Sequence, residues 1–392
     1  MLHAFDTLTA AIYAYNLAMG NPTNRPTFLE VDLSILKQNL ANIRSHVHPA
    51  KVMTVLKANA YGHGVDGVAQ SLAAHSDYIG VAIAEEGMHL RSIGVQTPIL
   101  VMGGALAQQI PLFIEHQLTL TVSSLELLEA AEAIASGAGA RLKVHLKVDT
   151  GMERIGVHEY EARSFLEKSL ACPHLDIEGI FTHFANSEAA DRSHAQLQLG
   201  RFNEVLAFYT QRRIPGPKLR HMANSGAILQ LPESHMDMVR AGLMLYGVYP
   251  GPDAPRSVDV SPALAWRSRI VHSKITLAGR PVSYGSTWAP ERDSQILTIP
   301  CGYGDGYFRR MTNRAQVIIR GKKYAQVGRI CMDQFMVNAI DDEFSTGEEV
   351  LLLGKASSGE AITVEDLAQW AGTSEYEILT NISARVPRVF VS

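Results

Sequence analysis

The chain has 392 residues, of which 46% are hydrophobic and 19% are charged, and its formal net charge is −4 at pH 7. This composition is typical of a globular protein, and the length favours two domains. The weak negative charge, with no basic tract that interleaves aromatic residues, gives no reason to expect a nucleic acid or an anionic membrane as partner.

Residues 1–26 are predicted to form an N-terminal extension outside the domains. This segment holds neither Lys nor Arg before Arg25, which argues against the positively charged start of a secretory signal peptide. Its mildly apolar stretch at 9–19 is too short to span a bilayer. The three scattered cysteines of the chain provide neither a disulfide framework nor a zinc site. We therefore expect a cytoplasmic protein without a bound metal.

From residue 27 onward, β-rich runs alternate with helical patterns. Eight such runs lie near 51–57, 78–84, 98–103, 118–123, 141–149, 176–183, 218–223 and 236–241. Helical composition follows at 65–74, 85–92, 106–115, 124–135, 159–170, 192–212 and 225–229. This alternation predicts parallel βα units and an α/β fold, with a (β/α)8 TIM barrel over 27–255. An open doubly wound sheet is disfavoured because no Gly-x-Gly-x-x-Gly follows the first strand.

A second domain is predicted over residues 256–392, after a cluster of prolines and glycine at 250–255. Alternating apolar and polar residues predict a mostly antiparallel β domain with one helix near 364–370. Its expected strands lie at 270–276, 295–299, 316–319, 324–327, 349–353 and 388–391. Whether the start of the barrel segment belongs to this domain stays open.

The predicted barrel strands are followed by polar side chains. Lys57 ends the first strand, and later strands lead into Lys147–Arg154, His183, His221–Gly226 and Arg240–Leu243. Taken singly, each side chain is more simply explained as a surface or core-edge residue. In a barrel, however, functional groups gather where the strands meet the following loops. So many polar groups at one end of the predicted barrel therefore indicate an active site.

A phosphate site is predicted after the last two barrel strands. Ser225-Gly226 and Gly242-Leu243 offer a hydroxyl group and unhindered backbone N–H groups at the place where barrel enzymes often bind phosphate. A phosphate site combined with Lys57, an amine that could form a Schiff base, indicates pyridoxal 5'-phosphate as cofactor.

Two further side chains fit this cofactor. His183 could lie against the pyridoxal ring, and Arg240 could approach the pyridine nitrogen. Guanidinium stays protonated, so it donates to the nitrogen and leaves the ring a weak electron sink. That arrangement suits an enzyme that removes one α-proton and replaces it at once.

Motifs from about residue 27 to the end resemble those of the alanine racemases, which are fold-type III pyridoxal phosphate enzymes. The stretch Lys57-Ala-Asn-Ala-Tyr61-Gly-His-Gly resembles the cofactor-lysine motif of that family. Further matches, in the same order, are Lys147–Arg154, Ser283–Gly285, Gly302–Gly306, Gly328–Asp333 and Arg385–Arg388. The resemblance implies a homodimeric isomerase that interconverts L- and D-alanine and supplies D-alanine for peptidoglycan.

The resemblance also implies a role for each matched residue. Lys57 would hold the cofactor and act as base on the D side, while Tyr284 of the partner subunit would act on the L side. Two bases on opposite faces suit racemisation because one takes a proton while the other returns one. The remaining cofactor-binding residues would be Tyr61, His183, Asn224, Ser225, Arg240, Gly242, Leu243 and Tyr376.

The substrate side of the site follows from the same motifs. Arg154, Tyr303, Met332 and Asp333 would bind the substrate or line its entry. Lys147 resembles a lysine that is carbamylated in many family members, and an ordinary salt bridge is the simpler alternative.

Two positions depart from the family pattern. Glu153 adds an anion beside Arg154, and Trp288 stands where a tyrosine is expected. Three other functions stay open, namely a racemase of serine or a basic amino acid, a basic amino acid decarboxylase, and a pyridoxal phosphate-binding protein without turnover. A small pocket bounded by aromatic residues favours alanine, and the β domain with Tyr284 argues against the non-catalytic protein.

Overall fold

The structure is a computed structural model that describes residues 24–392. Within this range, 35–60 and 65–261 form one compact unit, and 24–34, 61–64 and 262–392 form a second. The first 23 residues of the predicted extension lie outside the described part. The division falls after the expected boundary at 255 because the chain stays bound to the first unit, where the Ser261 carbonyl accepts a 2.8 Å hydrogen bond from Asn39.

The first unit is the predicted barrel, built from eight parallel strands and a short extra one. The strands are β2 (Lys51–Val55), β3 (Tyr78–Val81), β4 (Ile99–Val101), β5 (Thr119–Val122), β6 (Leu142–Asp149), β7 (Val157–His158), β8 (Leu175–Phe181), β9 (Leu219–His221) and β10 (Met238–Ala241). Their order is β10-β2-β3-β4-β5-β6-β8-β9, and β7 pairs with β6. Hydrogen bonds of 2.9 Å from Arg240 to Ala223 and 3.1 Å from Asp237 to Arg220 link the segments of β9 and β10.

One helix precedes the barrel strands and seven connect them. They are α1 (Leu33–Val47), α2 (Val65–Leu72), α3 (Ala84–Ser92), α4 (Ile110–Glu115), α5 (Leu125–Gly137), α6 (Ala162–Ser169), α7 (Ser193–Arg212) and α8 (Ser225–Gln230). Seven of the eight match predicted helices. Helix α1 is missing from the prediction, although its buried residues Leu36, Leu40, Ile43 and Val47 recur every three or four positions.

The second unit is the predicted β domain. Its strands are β1 (Phe28–Asp32), β11 (Leu264–Arg269), β12 (His272–Thr276), β13 (Ser294–Ile299), β14 (Gln316–Ile319), β15 (Lys322–Val327), β16 (Phe335–Asn338), β17 (Glu349–Lys355), β18 (Ala361–Ile362) and β19 (Arg388–Val391). They form one sheet of order β12-β13-β16-β15-β14-β17-β11-β1-β19, with β18 on β17. Strand β1 pairs with β11 antiparallel and with β19 parallel, so residues 28–32 belong to this unit.

The β unit contains more elements than predicted. Strands β1, β11, β16 and β18 were not expected, although β11 alternates buried and half-buried residues along its length. The expected helix is α9 (Val364–Ala371), and a second one follows as α10 (Glu375–Thr380). A Ser374 cap starts α10 by accepting from the backbone N–H of Glu377. Nowhere in residues 24–392 is a helix both long and apolar enough to cross a membrane.

Candidate active site

Lys57 follows the first barrel strand at the start of a left-handed backbone turn. Residues 58–60 have φ angles between 52° and 56° and ψ angles between 47° and 53°. This conformation costs L-residues other than glycine roughly 1–2 kcal/mol each. Hydrogen bonds offset part of that cost, since the Ala60 N–H donates to the Leu56 carbonyl at 2.9 Å and the Asn59 side chain accepts from a backbone N–H at 2.8 Å. These hydrogen bonds therefore fix the backbone conformation of the turn that follows Lys57.

The amine of Lys57 lies among other charged groups of the barrel unit. Burial and then repulsion from Arg154 lower the pKa of Lys57, Glu86 opposes this change, and Arg240 adds to it. A lower pKa increases the fraction of neutral amine at neutral pH, and the neutral amine is the nucleophile for a carbonyl compound.

Arg240, on β10, is buried and held by a set of hydrogen bonds. Its Nη2 donates at 2.9 Å to Nδ1 of His183 and to the carbonyls of Thr182 and Met222. Its Nη1 donates to Nδ1 of His221 at 2.9 Å. Burial and then repulsion from Arg154 lower the pKa of Arg240 to about 9. The guanidinium thus stays charged at neutral pH, in a fixed orientation.

The two histidines that accept from Arg240 are neutral. Burial, followed by repulsion from Arg240, holds the pKa values of His183 and His221 well below the ordinary value. Because Nδ1 of His221 accepts from Arg240, its Nε2 carries the proton and donates to Nδ1 of His145 at 2.9 Å. The buried Nε2 of His145 lies 3.8 Å from the carboxylate of Glu178. A chain of polar groups therefore runs from Arg240 through the inside of the barrel.

The loop after β6 is organised by the carboxylate of Asp149. It accepts from the backbone N–H groups of Gly151, Met152 and Arg154 at 2.8, 2.9 and 3.1 Å. Burial would raise the pKa of Asp149, but these backbone donors prevail and lower it. The side chain of Arg154 is exposed and forms no ion pair within residues 24–392, so it is available to bind an anion.

Glu153 does not pair with its neighbour Arg154. Its carboxylate bonds to Nε2 of His158 at 3.0 Å, on the exposed side of the loop. The extra anion that departs from the family pattern is therefore directed to a histidine. The other departure, Trp288, packs in the β unit against Val282, Ile296 and Val327.

Lys147 is buried on β6, with its Nζ donating to the Val148 carbonyl at 2.9 Å. Burial and then repulsion from Arg240 lower the pKa of Lys147 to about 7, although Asp149 opposes the change. Part of the population therefore carries a neutral amine here at neutral pH. A buried neutral amine is a nucleophile for small electrophiles such as carbon dioxide.

The loops after β9 and β10 are joined by Ser225. Its buried hydroxyl oxygen accepts from the backbone N–H groups of Gly242 and Met244, each at 3.3 Å. Asn224 caps α8 by accepting from the Ala227 N–H at 3.1 Å. The expected phosphate-binding residues of the barrel unit are thus brought together.

In the β unit, the segment that continues from the Lys57 turn packs on α10. The ring of Tyr61 lies 6.1 Å from the ring of Tyr376, measured between centroids. Gly62 has a φ of +80°, and a Cβ atom there would lie 2.0 Å from the carbonyl oxygen of Leu379. Only glycine fits this position. Arg388 also donates to the Gly62 carbonyl at 3.0 Å, which anchors the segment.

Tyr284 lies on an exposed turn of the β unit. Its side chain is 70% exposed, and Ser283 has a φ of 67°. The Ser283 hydroxyl donates to the carbonyl of Arg329 at 2.6 Å, and the Arg329 guanidinium packs against Gly285. These contacts hold the backbone of the turn, and the Tyr284 side chain projects from it into solvent.

Tyr303 and Met332 lie on two loops that are bound to each other. The N–H of Tyr303 donates to the Cys331 carbonyl at 3.1 Å, and the N–H of Gly304 donates to the Met332 carbonyl at 2.8 Å. Arg385 ties the same loops, donating to Asp305 at 2.7 Å and to Asp333 at 2.6 Å. Tyr303, Met332 and Asp333 thus form one exposed group in the β unit.

The barrel residues suit pyridoxal phosphate. Lys57, Lys147, Arg154 and Arg240 outnumber the nearby anions, which fits an anionic cofactor and a carboxylate substrate. Within residues 24–392, the Nε–H of Arg240 has no hydrogen-bond partner, although both terminal nitrogens of its guanidinium do. This N–H is a donor of the kind that a pyridine nitrogen requires. No group of three or more metal-ligating side chains occurs in the described chain, and Cys172, Cys301 and Cys331 are free thiols.

Some of these residues were missed at the sequence level. His145, Glu178 and Glu86 were not among the candidates. A histidine at a core position of β6 was the available signal for His145, since the neighbouring core residues are apolar. For Glu86, the signal was a glutamate three residues into a helix start, which predicts a cap and not a contact with another loop.

Comparison with known proteins agrees with this site. Residues 31–250 match the family model of the alanine racemase N-terminal domain, and residues 263–390 match that of the alanine racemase C-terminal domain. An alanine racemase of Carboxydothermus hydrogenoformans is 43% identical over 371 residues, covering 94% of this chain and 100% of the relative.

Solved structures show the same two-domain architecture. An alanine racemase of Clostridium difficile 630 superposes with a TM-score of 0.88 and 36% identity, covering 93% of this chain and 96% of that one. A histidine racemase of Leuconostoc mesenteroides has a TM-score of 0.86 and 29% identity, covering 94% of this chain and 98% of that one.

Fold, site and comparisons together define an isomerase of the amino acid racemase class. The chain belongs to the alanine racemase family. This result confirms the resemblance, the fold class and the enzyme class expected from the sequence. Membership of this family implies dependence on pyridoxal phosphate.

Proposed function

We propose that the protein interconverts L- and D-alanine with two bases, Lys57 on the D side and Tyr284 of the partner subunit on the L side. The observation that carries the proposal is the amine of Lys57, which has a lowered pKa and lies among Arg154 and Arg240 at the end of a barrel strand. Both alanine racemase domain models match the chain around it.

The barrel residues divide the work of holding the cofactor. When bound, pyridoxal phosphate supplies a carbonyl for covalent attachment and a ring that accepts electrons from Cα of the substrate. Lys57 provides the attachment point. His183 would lie against the ring, and Arg240 would donate its Nε–H to the pyridine nitrogen. Because Arg240 stays charged, it would not take a proton from that nitrogen, so the ring would be a weak electron sink.

The phosphate group is proposed to be bound by hydroxyl and backbone N–H groups. Ser225, Asn224, Gly242 and Leu243 serve in the barrel unit, supported by the bonds from Gly242 and Met244 to the Ser225 hydroxyl. Tyr61 and Tyr376, whose rings pack together, are also proposed to bind the phosphate.

The substrate carboxylate is bound by Arg154, which has no acidic partner among the described residues. Met332, Asp333 and Tyr303 line the entry, and their exposure fits a position against a second subunit. We accordingly propose a homodimer in which Tyr284 and Met332 of the partner subunit complete each site.

Lys147 is proposed to be carbamylated. Its pKa near 7 supplies the neutral amine that reacts with carbon dioxide. The resulting anion would neutralise part of the positive charge of Arg154 and Arg240, both of which lower the pKa of Lys147. An unmodified Lys147 in an ordinary salt bridge is the simpler alternative, although the Lys147 amine bonds to the Val148 carbonyl within residues 24–392.

The product D-alanine is proposed to supply peptidoglycan synthesis, in the cytoplasm. Three free cysteines fit a reducing compartment.

A second substrate deserves a direct comparison because the histidine racemase of Leuconostoc mesenteroides has the same fold. Sharing a fold leaves the choice of side chain to the pocket. Racemisation rates should be compared for alanine, serine, lysine and histidine. Alanine should be fastest, and a faster reaction with another amino acid would replace it as substrate.

The proposed reaction is tested by following the circular dichroism of L-alanine solutions with the full-length protein. The signal should decay to zero, faster after addition of pyridoxal phosphate to the cofactor-depleted protein. A stable signal with cofactor bound would contradict catalysis and favour a binding protein without turnover.

A further inference from the structure

Glu86 joins the start of helix α3 to the turn that follows Lys57. Its Oε1 accepts from the backbone N–H of Ala58 at 2.6 Å, and its Oε2 accepts from that of Ala82 at 2.7 Å. The second contact belongs to an ordinary helix cap, in which a glutamate near the helix start accepts from the preceding backbone. The first contact is not part of any cap, because Ala58 lies on a different loop.

The bond to Ala58 falls at the position where the backbone becomes left-handed. Ala58 has a φ of 52° and a ψ of 53°, and neither alanine nor its neighbour Ala60 prefers this region. Asn59, between them, is the one residue type of the three that tolerates it locally. An acceptor fixed by α3 therefore stabilises a conformation that the sequence of the turn does not favour.

Three charged groups shift the pKa of the Lys57 amine, and Glu86 is the anion among them. The others are Arg154, on the loop after β6, and Arg240, on β10, and both are cations. Glu86 raises the pKa of Lys57 against their repulsion and against burial.

We propose that Glu86 is a positioning residue for Lys57: through its bond to the backbone N–H of Ala58 it holds the left-handed turn that follows the lysine. This inference rests on the proposed role of Lys57 in holding the cofactor. Within residues 24–392, the Glu86 carboxylate bonds to backbone N–H groups and forms no ion pair with Lys57, so it acts through the backbone. Through its two oxygens, the carboxylate couples the orientation of the lysine to the start of α3.

The test compares Glu86→Gln with Glu85→Gln in the full-length protein. Glu85 is an exposed carboxylate in the same first turn of α3, so its substitution removes the same charge from the helix start. Glutamine at 86 has one acceptor oxygen where the carboxylate has two, so it cannot retain both backbone bonds. Glu86→Asp is the third variant, which keeps the charge and shortens its reach.

The first readout is hydrogen–deuterium exchange of the peptide that contains Ala58. Loss of the bond in Glu86→Gln and Glu86→Asp should speed exchange at this amide about fivefold, with no change in Glu85→Gln. The second readout is the pH dependence of Lys57 acylation by acetic anhydride in the cofactor-depleted full-length protein. Its midpoint should fall by about half a pH unit or more in Glu86→Gln and stay nearer the wild-type value in Glu86→Asp.

Faster exchange confined to the Ala82 segment, with an unchanged midpoint for Lys57, would show a helix cap only and overturn the proposal. Identical behaviour of Glu86→Gln and Glu85→Gln would do the same. Failure of the proposed function would be observed differently, because the wild-type protein would then show no absorbance from cofactor bound to Lys57. The exchange comparison does not depend on that absorbance.

Discussion

Nη2 of Arg240 donates a 2.9 Å hydrogen bond to Nδ1 of His183, a ring that stays neutral. The bond fixes the histidine as an acceptor at Nδ1 and places its proton on Nε2. It also holds the guanidinium plane, because Thr182 and Met222 accept from the same nitrogen. His183, which is proposed to lie against the cofactor ring, and Arg240, which is proposed to donate to its nitrogen, therefore hold each other in place.

Replacing Arg240 should change the titration of both histidines that face it. In Arg240→Gln, the pKa values of His183 and His221 should rise, because repulsion from Arg240 is the largest cause of their depression after burial. They should stay below the ordinary value, since burial remains. Ring-proton NMR of the full-length protein measures this change. Arg220→Gln is the control, because Arg220 is paired with Asp237 on the outside of the barrel. Unchanged histidine titration in Arg240→Gln would contradict the arrangement.

In protein freed of carbon dioxide, so that Lys147 carries no carbamate, this residue should make stability depend on pH. Its pKa is lowered from 10.5 to about 7 in the folded protein, so the folded state binds this proton less tightly than the unfolded state does. The buried charge destabilises most below about pH 7, and the penalty declines as pH rises from there towards the unfolded value. In Lys147→Met, the free energy of unfolding should therefore rise at low pH, on the order of 2–5 kcal/mol, and progressively less at higher pH.

Urea denaturation between about pH 5 and pH 9 measures this difference. Lys143→Met is the matched control, because Lys143 lies on the same strand with its side chain half exposed. A gain in Lys147→Met that is the same at every pH would show that packing, and not the charge, is responsible.

Lys57→Ala should abolish covalent attachment of pyridoxal phosphate and, with it, racemisation. The expected readout is loss of the visible absorbance of the cofactor–lysine linkage in the purified protein. Lys51→Ala is the control, since Lys51 is an exposed lysine at the start of the same strand. A cofactor absorbance that survives in Lys57→Ala would assign the attachment to another amine, for which Lys147 is the candidate.

Tyr284→Phe should separate the two faces of the reaction. Net racemisation and exchange of the α-proton of L-alanine should fall about 100-fold or more, because the general base of that face is lost. Exchange of the α-proton of D-alanine should persist, since Lys57 still serves the other face. NMR in deuterium oxide records both exchanges. Tyr160→Phe is the control, as Tyr160 is 72% exposed and belongs to the barrel unit. Equal losses for both enantiomers would contradict separate bases.

The sequence was sufficient for the barrel because its strands are short, apolar and regularly spaced. All eight predicted barrel runs contain observed strands. Of the polar residues expected after them, Arg154 and His183 lie in loops, whereas Lys147, His221 and Arg240 lie within β6, β9 and β10. Helix α1 was missed although its apolar spacing is regular. Strand β1 joins a sheet whose other strands follow residue 262, a pairing that no local pattern encodes.

The site was predictable only in part, for a related reason. Motifs identified Lys57, Arg154 and Arg240 as candidates. The contact between Glu86 and Ala58 joins residues 28 positions apart, and the bond between His145 and His221 joins residues 76 apart. Such contacts depend on which strands become neighbours when the barrel closes, and this cannot be predicted from the local pattern of a single sequence. The hydrogen bond between Glu153 and His158 was likewise not predictable from the sequence.

The origin of the hydrogen returned to Cα tests the two-base account most directly. The wild-type protein should be given L-alanine in deuterium oxide, and both enantiomers should be analysed early in the reaction. The account predicts that the D-alanine formed carries deuterium at Cα, while the remaining L-alanine keeps its hydrogen. D-alanine that retains much of the original hydrogen would show that one base removes and returns the same proton, and would contradict the roles given to Lys57 and Tyr284.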